Sequence, residues 1–276
     1  MPSQVEPGRF FGSTLRERRV RDLVLVDSRH PAGSRLSRHS HEHAYFCLNH
    51  GGTYTEDYGR RRRTCLPGML VFHPPGETHS EAHDTAVASL NVEVGAEWLR
   101  RMVELGGALD RPVEFRGDEI AAAGSQLLRE LGRADEDSEL AIESLTWEIL
   151  AASMDRQGDV GATGARRPRW LSEARDLLDA HLDEAPTLRS IAQEAGVHPV
   201  HFAATFRRFH GCSVGEYLRR RRLQHARRML ADPELPLARI ALDAGFADQC
   251  HLTRTFKRFT GMTPGQYRTF LLFKTR

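Results

Sequence analysis

The sequence predicts an α+β chain in two parts: a small antiparallel β-barrel followed by helices, then an all-α part built from two helix-turn-helix units. Three observations carry that expectation. Residues 23–94 break into short extended runs divided by Gly, Pro and charged turns. Helical periodicity takes over in residues 96–155 and again from Trp170 onward. Charge divides in the same way, with 20 Lys and Arg against 11 Asp and Glu in residues 166–276, but 19 against 26 in residues 1–165. A basic C-terminal part suits a polyanion partner, and an acidic N-terminal part does not. At 276 residues the chain is long for one domain and comfortable for two.

Taken in order, Met1–Arg21 holds no apolar core, and Leu23–Val26 is far too short to cross a bilayer. A soluble cytoplasmic protein with no membrane partner is therefore expected. Strands are predicted at Leu23–Val26, Tyr45–Leu48, Thr53–Tyr58, Met69–Phe72 and Val87–Val94, with Gly51-Gly52, Tyr58-Gly59, Pro67-Gly68 and Pro74-Pro75-Gly76 as breakers. Many short strands at close spacing point to a barrel or jelly roll. Of the 14 histidines, eight lie between residues 30 and 83. If His39-Ser40-His41 is a strand, both imidazoles share one face. Cys47, Cys65, Cys212 and Cys250 show no C-x-x-C spacing, which argues against structural zinc or a secreted disulfide framework.

Helical faces follow: Trp98, Leu99, Met102, Val103 and Leu105; then Ile120, Leu127, Leu128 and Leu131; then Leu140, Ile142, Leu145, Trp147, Ile149, Leu150 and Met154. Such helices either pack on the barrel or supply dimer contacts. Arg156–Pro168, rich in Gly and without periodicity, predicts a flexible linker. The expected division is thus 1–155 for the barrel and its helices, 156–168 for the linker and 169–276 for the helical part.

In the last part, Trp170–Leu182 predicts a helix, and Thr187 caps the next. Leu237, Ile240, Ala241 and Ala244 fall on one helical face; Gly245 allows a sharp turn and Phe246 plugs it. A second helix starts at Gln249, with Leu252, Phe256 and Phe259 inward and Gln249, His251, Thr253, Arg254, Lys257 and Arg258 on other faces, able to reach bases or phosphates. Thr263-Pro264-Gly265-Gln266 opens a third helix as a capping box. The pattern occurs once before. Ile191, Ala195 and Val197 match Ile240, Ala244 and Phe246 at an offset of 49; Phe206, Gly211, Ser213 and Tyr217 match Phe256, Gly261, Thr263 and Tyr267 at 50. The first unit's second helix, about Pro199–Phe209, carries Val200, Ala203 and Ala204, so His201, Arg207 and Arg208 are expected mainly to grip phosphate. More base discrimination is expected of the second unit. The run Arg219–Arg222 reads equally as a solvated helix face or as part of the polyanion-binding footprint.

The repeated motif, and above all Gly245-Phe246-Ala247-Asp248-Gln249 followed by Phe256–Pro264 and Tyr267-Arg268, resembles the DNA-binding domain of the AraC/XylS family of bacterial transcription regulators. That resemblance implies seven helices and two recognition helices in successive major-groove segments. Gly68, Pro74, Gly76 and His79, spaced G-x5-P-x-G-x2-H, resemble the second motif of the cupin barrels, and His39, His41 and Gly51 resemble the first. The first-motif Glu would lie near Tyr45, where this chain has no carboxylate. The cupin likeness implies a divalent metal on His39, His41 and His79, with Tyr45 or His43 assisting; the alternative is that these histidines only line the barrel mouth.

Together these features predict a regulator that binds double-stranded promoter DNA and whose barrel senses a small molecule or metal, with a homodimer as a further expectation. No catalytic set can be named. The competing expectation is a metal-dependent cupin enzyme fused to a DNA-binding domain.

Overall fold

The computed structural model describes residues 3–96, 98–100, 111–115, 118–133, 136–154, 168–184 and 186–274. The expected linker 156–168, apart from Pro168, lies outside the described residues, as do Met102, Val103 and Leu105. Two compact units emerge, Met1–Arg133 with Glu148–Val160 and Ala134–Trp147 with Gly161–Arg276.

The first unit is a two-sheet β-structure. Its strands are β1 (Ser3–Val5), β2 (Ser13–Val20), β3 (Leu23–His30), β4 (Arg35–His41), β5 (Ala44–Gly51), β6 (Tyr54–Tyr58), β7 (Arg61–Cys65), β8 (Leu70–His73), β9 (Thr78–His83), β10 (Val87–Val94) and β11 (Val113–Phe115). One sheet has the order β1-β4-β9-β6-β7 and the other β11-β8-β5-β10-β3-β2. Strand β1 runs parallel to β4, and the other pairings are antiparallel.

Side-chain alternation divides the six-stranded sheet into unlike faces. Phe46, Leu48, Leu70, Phe72, Leu90 and Val92 share one face and are buried. Trp98 meets Phe46 there, ring centroids 6.0 Å apart. Helix α1 (Asp118–Leu131) also presses on this face: a Cβ at Gly124 would lie 2.2 Å from Leu48 Cδ2, so a larger residue there would have to displace the Leu48 side chain. The opposite face, turned toward the five-stranded sheet, carries Tyr45, Cys47, His73, Ser89 and Asn91. Between the sheets a small apolar cluster of Tyr54, Cys65, Met69, Val71 and Val87 packs at one end, and the rest of the interior is polar. A polar interior of this kind is the informative departure from ordinary burial.

Strands β2, β7 and β9 were not among the expected ones. The reason is visible in their inward positions, which hold Arg63, His79, Glu81 and His83, and in the exposure of β2 at a sheet edge, so apolar alternation never develops.

Helix α2 (Glu136–Met154) is buried from Leu140 to Leu150, the polar Glu143, Ser144, Thr146 and Glu148 included. The second unit continues with α3 (Arg169–Ala180), α4 (Leu188–Glu194), α5 (Pro199–His210), α6 (Val214–Met229), α7 (Leu237–Asp243), α8 (Gln249–Thr260) and α9 (Pro264–Lys274). Helices α3 to α9 are the seven that the family resemblance implied. Thr187 and Ser190 form a capping box at α4, and the Thr263 N–H donates to Gln266 Oε1 at 2.9 Å. Ser213 caps α6, and Glu216 accepts from Arg220. Two members of the arginine run fit neither expectation: Arg219 and Arg222 are buried, and Arg222 Nε donates to Leu182 O at 2.7 Å. Ile240, Ala241, Ala244, Phe246, Leu252 and Phe256 form the core of the second helix-turn-helix, with Tyr267 packed against it. Phe259, expected inward, is 40% exposed because the helix turns its apolar stripe past it.

Candidate effector site and nucleic-acid interface

The polar interior of the sandwich gathers the three predicted histidines. In the β4–β9 ladder His39 stands opposite His79, and His41 follows two residues on, on the same face. The ligand nitrogens of His39, His41 and His79 all lie within 4.8 Å of one another, and all three side chains are buried. His39 Nδ1 lies 2.8 Å from the carbonyl oxygen of Ser37, which can only accept, so Nδ1 carries the proton and Nε2 keeps its lone pair. His79 Nδ1 donates to Glu77 Oε2 at 3.0 Å, and the Tyr45 hydroxyl lies 3.1 Å from His79 Nε2. Tyr45 thus stands where the first-motif carboxylate was missing. His41 Nδ1 is buried without a hydrogen-bond partner. An orphaned imidazole nitrogen beside two others is a donor set that fits a divalent ion. His43 does not join them; it is partly exposed and pairs with Glu93 at 3.2 Å.

Burial, reinforced by His79 and His39, pushes the His41 pKa from 6.5 down to about 3. Burial lowers His39 and His73 as well. For His79 burial also works downward, but the bond to Glu77 and the charges of Glu56 and Glu81 outweigh it, and the net shift is upward. Burial would raise Glu81, yet the His83 hydrogen bond and the His79 charge hold it down at about 2. His41 and His39 are therefore neutral at pH 7, the form that ligates metal. A stability consequence follows. An unfolded His41 takes a proton below its ordinary 6.5, whereas the folded one resists to about 3, so the stability it contributes is present above pH 6.5 and is lost as pH falls through that window. The urea midpoint of the N-terminal unit is expected to drop on acidification from neutral pH, and less steeply in His41→Gln; identical slopes would refute the assignment.

Sequence reasoning missed Glu56, His73, Glu77 and Glu81 as parts of this cluster. The alternation His79, Glu81, His83 in β9 was the available signal, concealed because Ala82 is the strand's one apolar residue. A cavity of about 20 Å³ lies beside His39, His41, Tyr45, Glu81 and His83, closed on one side by Phe10, stacked on His41 at 5.1 Å, and by Phe11 beside His39 at 4.6 Å. That volume holds one water or one ion.

In the second unit α5 and α8 are both 12 residues long and start 50 residues apart. The extra residue of the second copy is Ala247, in the turn before the cap Asp248, which accepts from the His251 N–H at 2.6 Å. Gln249, Arg254, Lys257 and Arg258 are exposed on α8, together with Cys250. Thr253 is half-buried and its hydroxyl donates to Gln249 O at 2.8 Å. His251 corrects the expectation: it is buried, its ring edge-on to Phe246 at 5.2 Å, because its position follows the inward stripe of Leu252 and Thr255. It cannot join the exposed face as placed. On α5, His201 and Arg208 are exposed and Arg207 half-buried. Val200 and Ala203, which made this helix look poor in readers, are core residues.

Residues 22–150 match the family model described as an AraC-like ligand binding domain, and residues 191–269 match one described as a helix-turn-helix domain. The probable transcription factor PqrA of Proteus vulgaris is 36% identical over 86 residues, 31% of this chain and 70% of that protein. The chain belongs to the AraC/XylS family of transcription regulators. Other relatives in the family reach across both units. The arabinose operon regulatory protein of Salmonella typhimurium is 27% identical over 221 residues, 74% of this chain and 75% of that protein. The transcriptional activator RhaR of Klebsiella pneumoniae is 26% identical over 260 residues, 89% and 91% of the two chains. This AraC-family chain thus has a DNA-binding helix-turn-helix domain and a ligand-binding domain, and the histidine cluster and both exposed helix faces fall inside the matched spans. Among the described residues no helix is long and apolar enough to cross a membrane.

Proposed function

We propose that this AraC-family regulator acts in the cytoplasm as a sensor of a divalent metal or a small metal-binding molecule. The observation that carries the reading is the trio His39, His41 and His79, buried and with ligand nitrogens within 4.8 Å of one another, beside a cavity of about 20 Å³. Such a space admits an ion; an organic effector needs Phe10 and Phe11 to give way. Ligand binding favours one arrangement of the N-terminal unit and so shifts the population competent for DNA. The relatives are regulators, and the barrel is taken as a sensor rather than an enzyme.

At the DNA end, the reading assigns Gln249, Arg254, Lys257 and Arg258 of α8, and His201, Arg207 and Arg208 of α5, to bases and phosphates. Arg254→Ala is expected to weaken specific binding by about 1–3 kcal/mol and relax preference at one position. Loss that is uniform over all sequences would assign Arg254 to phosphate instead. Binding-site selection is expected to return more information in the half-site read by the second unit. The governing test measures promoter affinity of the full chain across a metal series and its apo form. Affinity indifferent to every metal would leave a DNA-binding protein whose barrel senses something else.

A further inference from the structure

Behind His79 lies a second set of donors that the cupin-like motifs do not include. Glu56 Oε1 (β6), His73 Nδ1 (β8), Glu77 Oε2 (the turn before β9) and His79 together form a group whose ligand atoms lie within 4.8 Å of one another. The sheet registers put them there: Tyr45 faces His73 across β5–β8, and Glu56 faces Glu81, two residues from His79, across β6–β9. Glu77 Oε2 lies 3.0 Å from His79 Nδ1 and 3.1 Å from His73 Nδ1, and Glu56 Oε1 lies 3.6 Å from His73 Nδ1. An ion held tetrahedrally with bonds of about 2.0–2.1 Å separates its ligand atoms by about 3.3–3.4 Å, so these three edges already approximate such a cage.

Two independent observations support a ligand there. Glu56 Oε1 is fully buried, has no hydrogen-bond partner, and stands beside this group; an acceptor left so is costly unless something supplies positive charge. Charge count agrees. The cluster's three carboxylates, Glu56, Glu77 and Glu81, face one buried arginine, Arg63, which bonds Glu56 at 2.7 Å. These carboxylates outnumber the arginine by two, an excess that a bound cation would offset. Glu77 also borders an open cleft of about 460 Å³, which gives an entry path.

We propose that Glu56, His73, Glu77 and His79 form a second divalent-cation site, distinct from the three-histidine set and reached through the other nitrogen of His79. Its two carboxylate oxygens and two imidazoles suit Zn²⁺, Fe²⁺, Co²⁺ or Mn²⁺. The inference concerns metal binding alone and stands whether or not the DNA-binding reading does.

The test is Co²⁺ titration of the full-length His39→Ala/His41→Ala protein, followed by visible absorption and by equilibrium dialysis, with circular dichroism as the folding control. About one Co²⁺ per chain is expected to remain bound. Adding Glu56→Gln and His73→Gln is expected to abolish it. Glu77→Gln, which preserves shape at the edge of the cleft, is expected to weaken it roughly 10- to 100-fold and keeps the test open if the fuller variant does not fold. No Co²⁺ bound by the His39→Ala/His41→Ala protein, or binding indifferent to Glu77→Gln, overturns the proposal. Promoter binding by the same variants is read separately, so failure of the cation site and failure of the regulatory reading remain distinguishable.

Discussion

Gly245→Val is expected to destabilise the C-terminal unit by about 3–5 kcal/mol, because two penalties coincide there. Gly245 has φ +79°, a backbone conformation that a β-branched residue resists, and a Cβ on it would lie 2.0 Å from Leu182 O and 2.7 Å from Arg222 Nε. Those two atoms are themselves bonded at 2.7 Å, so the added carbon drives a wedge between the segment just after α3 and the buried arginine that ties it down. Gly196 occupies the equivalent turn of the first helix-turn-helix with φ +66°, but nothing lies within 4 Å of a Cβ there. Gly196→Val is therefore expected to carry the conformational strain alone, a loss of about 1–3 kcal/mol. Urea unfolding of the two variants checks this, and equal losses would remove the contact with Leu182 from the account.

That contrast also shows what the sequence could and could not reveal. The two turns look alike in the chain, with Ala195-Gly196-Val197 repeating as Ala244-Gly245-Phe246, and the helical repeat was legible because both units bury the same apolar positions at 3.6-residue spacing. Which turn is crowded depends on Leu182 and Arg222, distant in sequence. His251 shows the same limit: it stands three residues beyond its cap, between Cys250 and Leu252, and only the packing against Phe246 shows that it turns inward. In the N-terminal unit the histidine trio was legible from a spacing and a motif. Glu56 and His73 were not, because the strands expected at Thr53–Tyr58 and Met69–Phe72 do not show which side chains meet the histidines until the sheet pairing is known; Glu81 was not, because its strand has no apolar alternation. A strand such as β9, with His79, Glu81 and His83 inward, carries period two in charge rather than in hydrophobicity.

Arg63→Met is expected to destabilise the N-terminal unit by about 3–5 kcal/mol, the cost of leaving a buried charge without its partner. Glu56 is fully buried, Arg63 nearly so, and their contact is 2.7 Å. The guanidinium lies 4.2 Å from the centre of the Tyr58 ring, while its two terminal nitrogens have no hydrogen-bond partner, so its attachment rests on Glu56 and on that ring. Removing both charges in Glu56→Gln/Arg63→Met is expected to cost less than Arg63→Met alone, since no isolated carboxylate remains; a double variant that loses as much as the sum of its parts would deny the coupling. The same substitution separates packing from charge balance. Without Arg63 the cluster of Glu56, Glu77 and Glu81 gains a further uncompensated negative charge, so Co²⁺ affinity is expected to rise while metal-free stability falls. An arginine that mattered only as filler would lower stability and leave Co²⁺ affinity where it was.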